Sequence, residues 1–146
     1  MTARELLLKA IENADFQISA AVAGLDSQAA ETRTNPESMT IRQQVAHTAE
    51  AAVAVLAGFE GREHPWGEWD PEDRSWSGIK KARQDARAAA ITALPEDDAS
   101  LWQAYSLLVA HDYYHVGQIA AARSVVHPEW DTYSLYAEPT LTDDGL

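Results

Sequence analysis

The chain of 146 residues has no cysteine, which excludes disulfides, thiolate metal sites and a cysteine nucleophile. It is also poor in positive charge: 11 lysines and arginines stand against 23 acids, for a formal charge of −12. Duplex DNA and anionic membrane surfaces are polyanions, so neither nucleic acid nor membrane is an expected partner. No apolar run approaches the ~18 residues of a membrane helix. The opening Met1-Thr2-Ala3-Arg4-Glu5 places an acid early and leads into an amphipathic pattern, unlike a signal peptide. A soluble cytoplasmic protein is the expectation. Period-2 alternation is missing, and the only Asp-Gly, Asp144-Gly145, has no strand signal after it. Phosphate-binding glycine loops, H-E-x-x-H and G-x-S-x-G are missing too. A di-iron bundle would need Glu-x-x-His from two helices, and only His47 and Glu50 come near, in reversed order.

What the chain has is alanine, 27 residues of 146, the strongest helix former. Hydrophobic residues reach 46%, too many for a disordered acidic chain. The length suits one domain with a real core, expected over residues 1–139, with a mobile tail at 140–146. Four helices are predicted. The first spans about Thr2 to Leu25, with Leu7, Ile11, Ala14, Ile18, Val22 and Leu25 on one face. The second spans Ile41 to Phe59, opened by a Thr40–Gln43 capping box and closed by Gly58 and Gly61. The third spans Gly78 to Leu94, with Ser77 as N-cap and Pro95 as stop. Its stripe is Ile79, Ala82, Ala86, Ala89/Ala90 and Ala93, and Lys80, Lys81, Arg83 and Arg87 fall on the remaining surface. The fourth spans Asp98 to Val126, with acids at its positive N-terminal end and Pro128 beyond it. Such helices bury their stripes best as a bundle. The connection between the second and third holds Trp66 and Trp69, with Trp76 at its end. These tryptophans must pack on something, and the aromatic segment after His127 is expected to lie along the bundle or on a partner subunit.

Five histidines are present. His111 and His115 are four apart, so they stack on one helix face. That face is the apolar stripe of Leu101, Ala104, Leu108, Ile119 and Ala122, and Gln118 shares it. Unpaired polar atoms there would cost ~1–3 kcal/mol each, which a metal ion or a hydrogen-bond network would remove. His47, the one histidine of the second helix, lies on a strip of Thr40, Gln44, Ala51, Ala54 and Gly58. Small residues permit either close helix approach or exposure, so the pattern leaves both open. Glu50, three residues on, suits a carboxylate ligand, a partner orienting His47, or a solvated surface acid. His64 and His127 read as structural or exposed.

The string His111-Asp112-Tyr113-Tyr114-His115-Val116-Gly117-Gln118-Ile119 resembles the H-x-x-x-H-x-G-Q-[IL] signature on the last helix of the DinB/YfiT-like superfamily. Ile41 to Glu50 resembles that family's second-helix segment. The resemblance implies an all-α, four-helix bundle in up-down-down-up order with a long 2–3 crossover loop. It implies a divalent metal held by three histidines, which fall on His47, His111 and His115. It also implies a homodimer, and for several relatives a metal-dependent transferase reaction on small thiols such as bacillithiol or mycothiol.

Three imidazoles suit zinc or nickel, and also iron(II), cobalt or manganese, and leave a position open for water or substrate. A metal there would lower the pKa of bound water or thiol towards neutrality. The expected function is therefore a metal-dependent thiol S-transferase or hydrolase acting on a small electrophilic substrate. Glu50, Gln118 and Tyr114 are candidates to hydrogen-bond the ligands or the substrate. The competing class is a non-enzymatic metal-binding module, stress-related or dimerising, whose ion only clamps two helices. A metal-free polar network is the third reading.

Overall fold

The computed structural model describes residues 1–137, and among them there is helix but no strand. Helix α1 runs Ala3–Val22, α2 Ile41–Phe59, α3 Trp76–Thr92, α4 Asp98–Tyr105 and α5 His111–Val126. A π-helical segment, Ser106–Ala110, joins α4 to α5, so the predicted fourth helix is one run with a widened turn inside it. No helix among the described residues is long and apolar enough to cross a membrane. The tail expected to be mobile at 140–146, and the domain end at 139, lie outside the described residues.

The helix ends follow from local chemistry. Thr2 with Glu5, and Thr40 with Gln43, form reciprocal capping boxes that satisfy the first orphan N–H groups of α1 and α2. Ser75 rather than Ser77 caps α3, its hydroxyl accepting from Gly78 N at 3.0 Å. The helix starts earlier than predicted because Trp76 is wanted in the core. That ring is buried, and its Nε1 donates to the Leu25 carbonyl at 2.9 Å. Helix α2 ends with Gly61 at φ +71°. Arg62 N bonds to Ala57 O and Gly61 N to Gly58 O, the Schellman pattern that favours glycine at this position.

One core cluster joins Ile18, Val22 and Leu25 to Ile41, Val45, Trp76, Val116, Ile119 and Leu135. A second joins Leu7 and Ile11 to Ala52, Val55, Leu94, Leu108 and Val109. The first also settles the aromatic segment after α5. A 3-10 turn at Thr132–Tyr136 packs on α1 and delivers Leu135 to the core. Trp130 lies under Arg123, 4.5 Å from the guanidinium carbon to the ring centre.

A buried charge network corrects the reading of α3. Arg83 and Arg87 are 4% and 2% exposed, not surface groups. The buried stripe of α3 is Trp76, Ile79, Arg83, Arg87, Ala90 and then Leu94, one position round from the alanine stripe, because Ala89 and Ala93 are exposed. Arg83 Nη2 donates to Asp112 Oδ2 at 2.7 Å and to Asp15 Oδ1 at 2.9 Å, and its Nε donates to the Thr48 hydroxyl at 2.9 Å. Arg87 Nη1 lies 2.9 Å from Asp112 Oδ2, and its Nε pairs with Asp15. Both are ion-pair approaches without hydrogen-bond angles, and Asp112 Oδ1 accepts no hydrogen bond from the described residues. Burial pushes the Asp112 carboxyl up and the Arg87 guanidinium down, and their mutual attraction opposes both shifts. The third nitrogen of Arg87, Nη2, donates to the carbonyl of Leu108 at 2.9 Å, inside the π segment.

Candidate metal centre

The small-residue strip of α2 that the pattern left open faces inward, alongside the bulky Ile41, Val45 and Val55. Thr40, Gln44, Ala51 and Ala54 are all buried, so small side chains here let α2 approach α5, and His47 comes with them. The ring of His47 is 4.8 Å from that of His111 and 5.2 Å from that of His115, centre to centre. The His111 and His115 rings are 4.6 Å apart. One ligand-capable nitrogen from each of the three lies within 4.8 Å of the other two, so the group could hold a metal ion.

The finer geometry fits such an ion. His111 Nε2 and His115 Nε2 are 3.2 Å apart, close to the roughly 3.3 Å between two nitrogens bound tetrahedrally at 2.0–2.1 Å. His115 Nδ1 lies 3.0 Å from Gln44 Oε1. A carbonyl oxygen only accepts, so His115 donates from Nδ1 and presents the Nε2 lone pair inward. His111 Nδ1 is buried, with no hydrogen-bond partner among the described residues. A ring with one nitrogen unpartnered and the other facing a second imidazole is poorly satisfied as a polar network alone.

Electrostatics favour the neutral ligand form. Burial, followed by the neighbouring His111 and His47 rings, pulls His115 from its ordinary 6.5 down to about 4. Burial and His47 lower His111 as well. An unfolded chain would protonate His115 near 6.5, the folded one only near 4. Between those values the unfolded state holds more protons, so stability falls as pH drops through this window and is flat above it. For metal-free protein we expect a loss on the order of 3 kcal/mol between pH 7 and pH 4 from this residue. Urea melts across that range should show a gentler fall in His115→Ala.

The other candidates are placed differently from one another. Glu50 is buried at 7% exposure. Its Oε1 takes His64 Nε2 at 2.8 Å and Gly67 N at 2.7 Å, and these bonds tie the 60–75 connection to α2. His64 is correspondingly almost covered in its side chain. The Trp66 ring is thereby held 5.8 Å from His47 and 5.2 Å from His64. Tyr114 is exposed, its ring 5.1 Å from that of His115. Gln118 lies at the surface edge of the stripe and donates to the Tyr114 hydroxyl at 2.5 Å, not to a histidine. His127 donates its backbone N–H to Arg123 O at the end of α5.

Gln44 is the residue that sequence reading missed. Its signal was its place on the His47 strip, three residues before that histidine and one turn after the capping threonine. Gln44→Leu should leave His115 Nδ1–H unpaired at ~1–3 kcal/mol and weaken metal binding by about 10–100-fold. Competition with a chromophoric chelator measures the second effect.

Neither a curated protein nor a solved structure matches the chain. The family model of the DinB superfamily matches residues 10–119, a stretch that starts within α1, ends in α5 and takes in all three clustered histidines. By that match, the chain belongs to the DinB superfamily.

Proposed function

We propose that the protein is a divalent-metal-dependent enzyme that activates a small thiol or water against an electrophilic substrate, as a thiol S-transferase or a hydrolase. His47, His111 and His115 would hold the ion, with zinc or nickel favoured by the all-nitrogen donor set. The observation that carries the reading is the convergence of three imidazole nitrogens, from α2 and α5, within 4.8 Å. When bound, a divalent ion in such a setting brings the pKa of a coordinated water or thiol towards neutrality.

The chain's own residues supply the rest. Gln44 fixes the tautomer and the ring orientation of His115. Glu50 and His64 hold Trp66 as one wall of a cleft that reaches His47. An open cleft at a ligand is what a catalytic ion needs and a purely structural ion does not. We read the helices as a four-helix bundle in up-down-down-up order, crossed by the 60–75 connection. A homodimer is supported by an apolar groove between α1 and α4 with Leu6 59%, Trp102 68% and Tyr105 41% exposed.

Elemental analysis of untagged protein, purified without chelator, tests the site; about one divalent ion per chain is expected. His64→Ala should keep that content. A thiol-consumption assay with simple electrophiles, and a hydrolysis assay beside it, then test the reaction. Protein free of metal would leave the histidines as a polar network. Metal without either activity would leave a non-enzymatic metal-binding module, stress-related or dimerising.

A further inference from the structure

We infer that the cleft beside His47 selects a ligand whose remote end is flat, apolar and uncharged, and that Trp66 sets this preference. The inference deepens the metal-site reading and leans on it only for what the ligand meets at its reacting end. The cleft holds about 570 Å³ and its walls include Met39, Ala46, His47, Glu50, Trp66 and Trp69, a volume suited to a small molecule. Trp66 is 50% exposed, yet its ring contacts the imidazoles of both His47 and His64, 5.8 and 5.2 Å away. The loop beneath it is pinned by Gly67 N on Glu50 at 2.7 Å. A held indole, half in water beside a candidate reactive centre, gains most by covering its face with another flat apolar group.

Charge narrows the class further. Among the described residues, no lysine or arginine lines the cleft. The arginines of the 60–75 connection are engaged elsewhere, Arg62 with Glu60 and Arg74 with Asp70. Arg42 on α2 pairs with Glu31 and donates to the Arg74 carbonyl. Glu50 meanwhile puts a buried carboxylate into the wall. A carboxylate at the end of the ligand remote from the ion would find no lysine or arginine to pair with, and the nearby Glu50 carboxylate is already bonded to His64 and Gly67 N, so its desolvation would go uncompensated.

The test uses the full chain loaded with Zn(II) and two thiols differing only in a remote charge, benzyl mercaptan and 4-(mercaptomethyl)benzoate. Affinity is read by isothermal titration calorimetry in parent and variant alike, and contact with Trp66 in the parent from its indole N–H resonance, assigned with Trp66→Phe. Benzyl mercaptan should bind at least about tenfold tighter, and Trp66→Ala should erase most of that advantage with zinc content unchanged. Equal or tighter binding of the carboxylated thiol, or a preference untouched in Trp66→Ala, overturns the inference. Metal-free protein separates the two readings: benzyl alcohol should shift the Trp66 resonance and benzoate should not. If zinc fails to bind while that contrast holds, the metal reading falls and the selectivity stands. If zinc binds and benzoate matches benzyl alcohol, the selectivity falls alone.

Discussion

Asp112→Ala should lower the stability of the protein by about 3–5 kcal/mol, the usual consequence of removing one member of a buried ion pair. Asp112 is fully buried, and its Oδ2 lies 2.7 Å from Arg83 and 2.9 Å from Arg87. Without it two guanidiniums remain in the core, sharing only Asp15, which is 32% exposed in its side chain. The thermal midpoint, followed by circular dichroism, should drop by roughly 10 °C. Arg87→Met should lose a similar amount, because it also strips the donor from the Leu108 carbonyl. The double variant Asp112→Ala, Arg87→Met should lose clearly less than the sum of the two. Strict additivity would show that the charges do not act as one unit.

His115→Ala is the second large effect, and it falls on the metal instead of the fold. Loss of a nitrogen that faces the other two should reduce affinity by more than ~100-fold, beyond what an outer partner such as Gln44 achieves. Binding to the folded state alone adds about 2.7 kcal/mol at a hundred times the dissociation constant. A chelator should therefore lower the melting temperature of the parent protein by several degrees and leave that of His115→Ala unmoved. The comparison is made within each protein, so any packing defect at residue 115 cancels. A metal-loaded parent protein indifferent to an excess of chelator would sink the assignment.

Much of this was legible from residue order alone, and the reason is locality. The limits of α2, Ile41–Phe59, follow from Thr40, Gln43 and Gly61, all within one turn of the helix ends. His111 and His115 are joined by helix geometry, and the small strip around His47 allowed the approach that completes the trio. What escaped were decisions made between distant segments. Arg83 and Arg87 look like solvated cations until Asp15 and Asp112, on two other helices, are brought against them. Their one local trace is that they continue the Trp76–Ile79–Ala90–Leu94 stripe at helical spacing. Glu50 could be read three ways because its partner, His64, lies in an irregular connection whose path no periodicity describes. The π segment has no composition of its own; Ser106–Ala110 reads as ordinary helix.

That segment makes residue count a determinant of the site. One extra residue in a helical turn rotates everything beyond it by about 100°. With it, the halves of the run are phased separately: Ala104 and Leu108 enter one core cluster while Asp112 meets α3 and His115 meets Gln44 on α2. A single deletion between 106 and 110 would restore a plain helix, yet swing either the imidazole pair or the apolar half out of register. Tolerance to length change should thus be lowest in a stretch that supplies none of the three imidazoles. Homologues would be free to vary the letters there far more than the spacing.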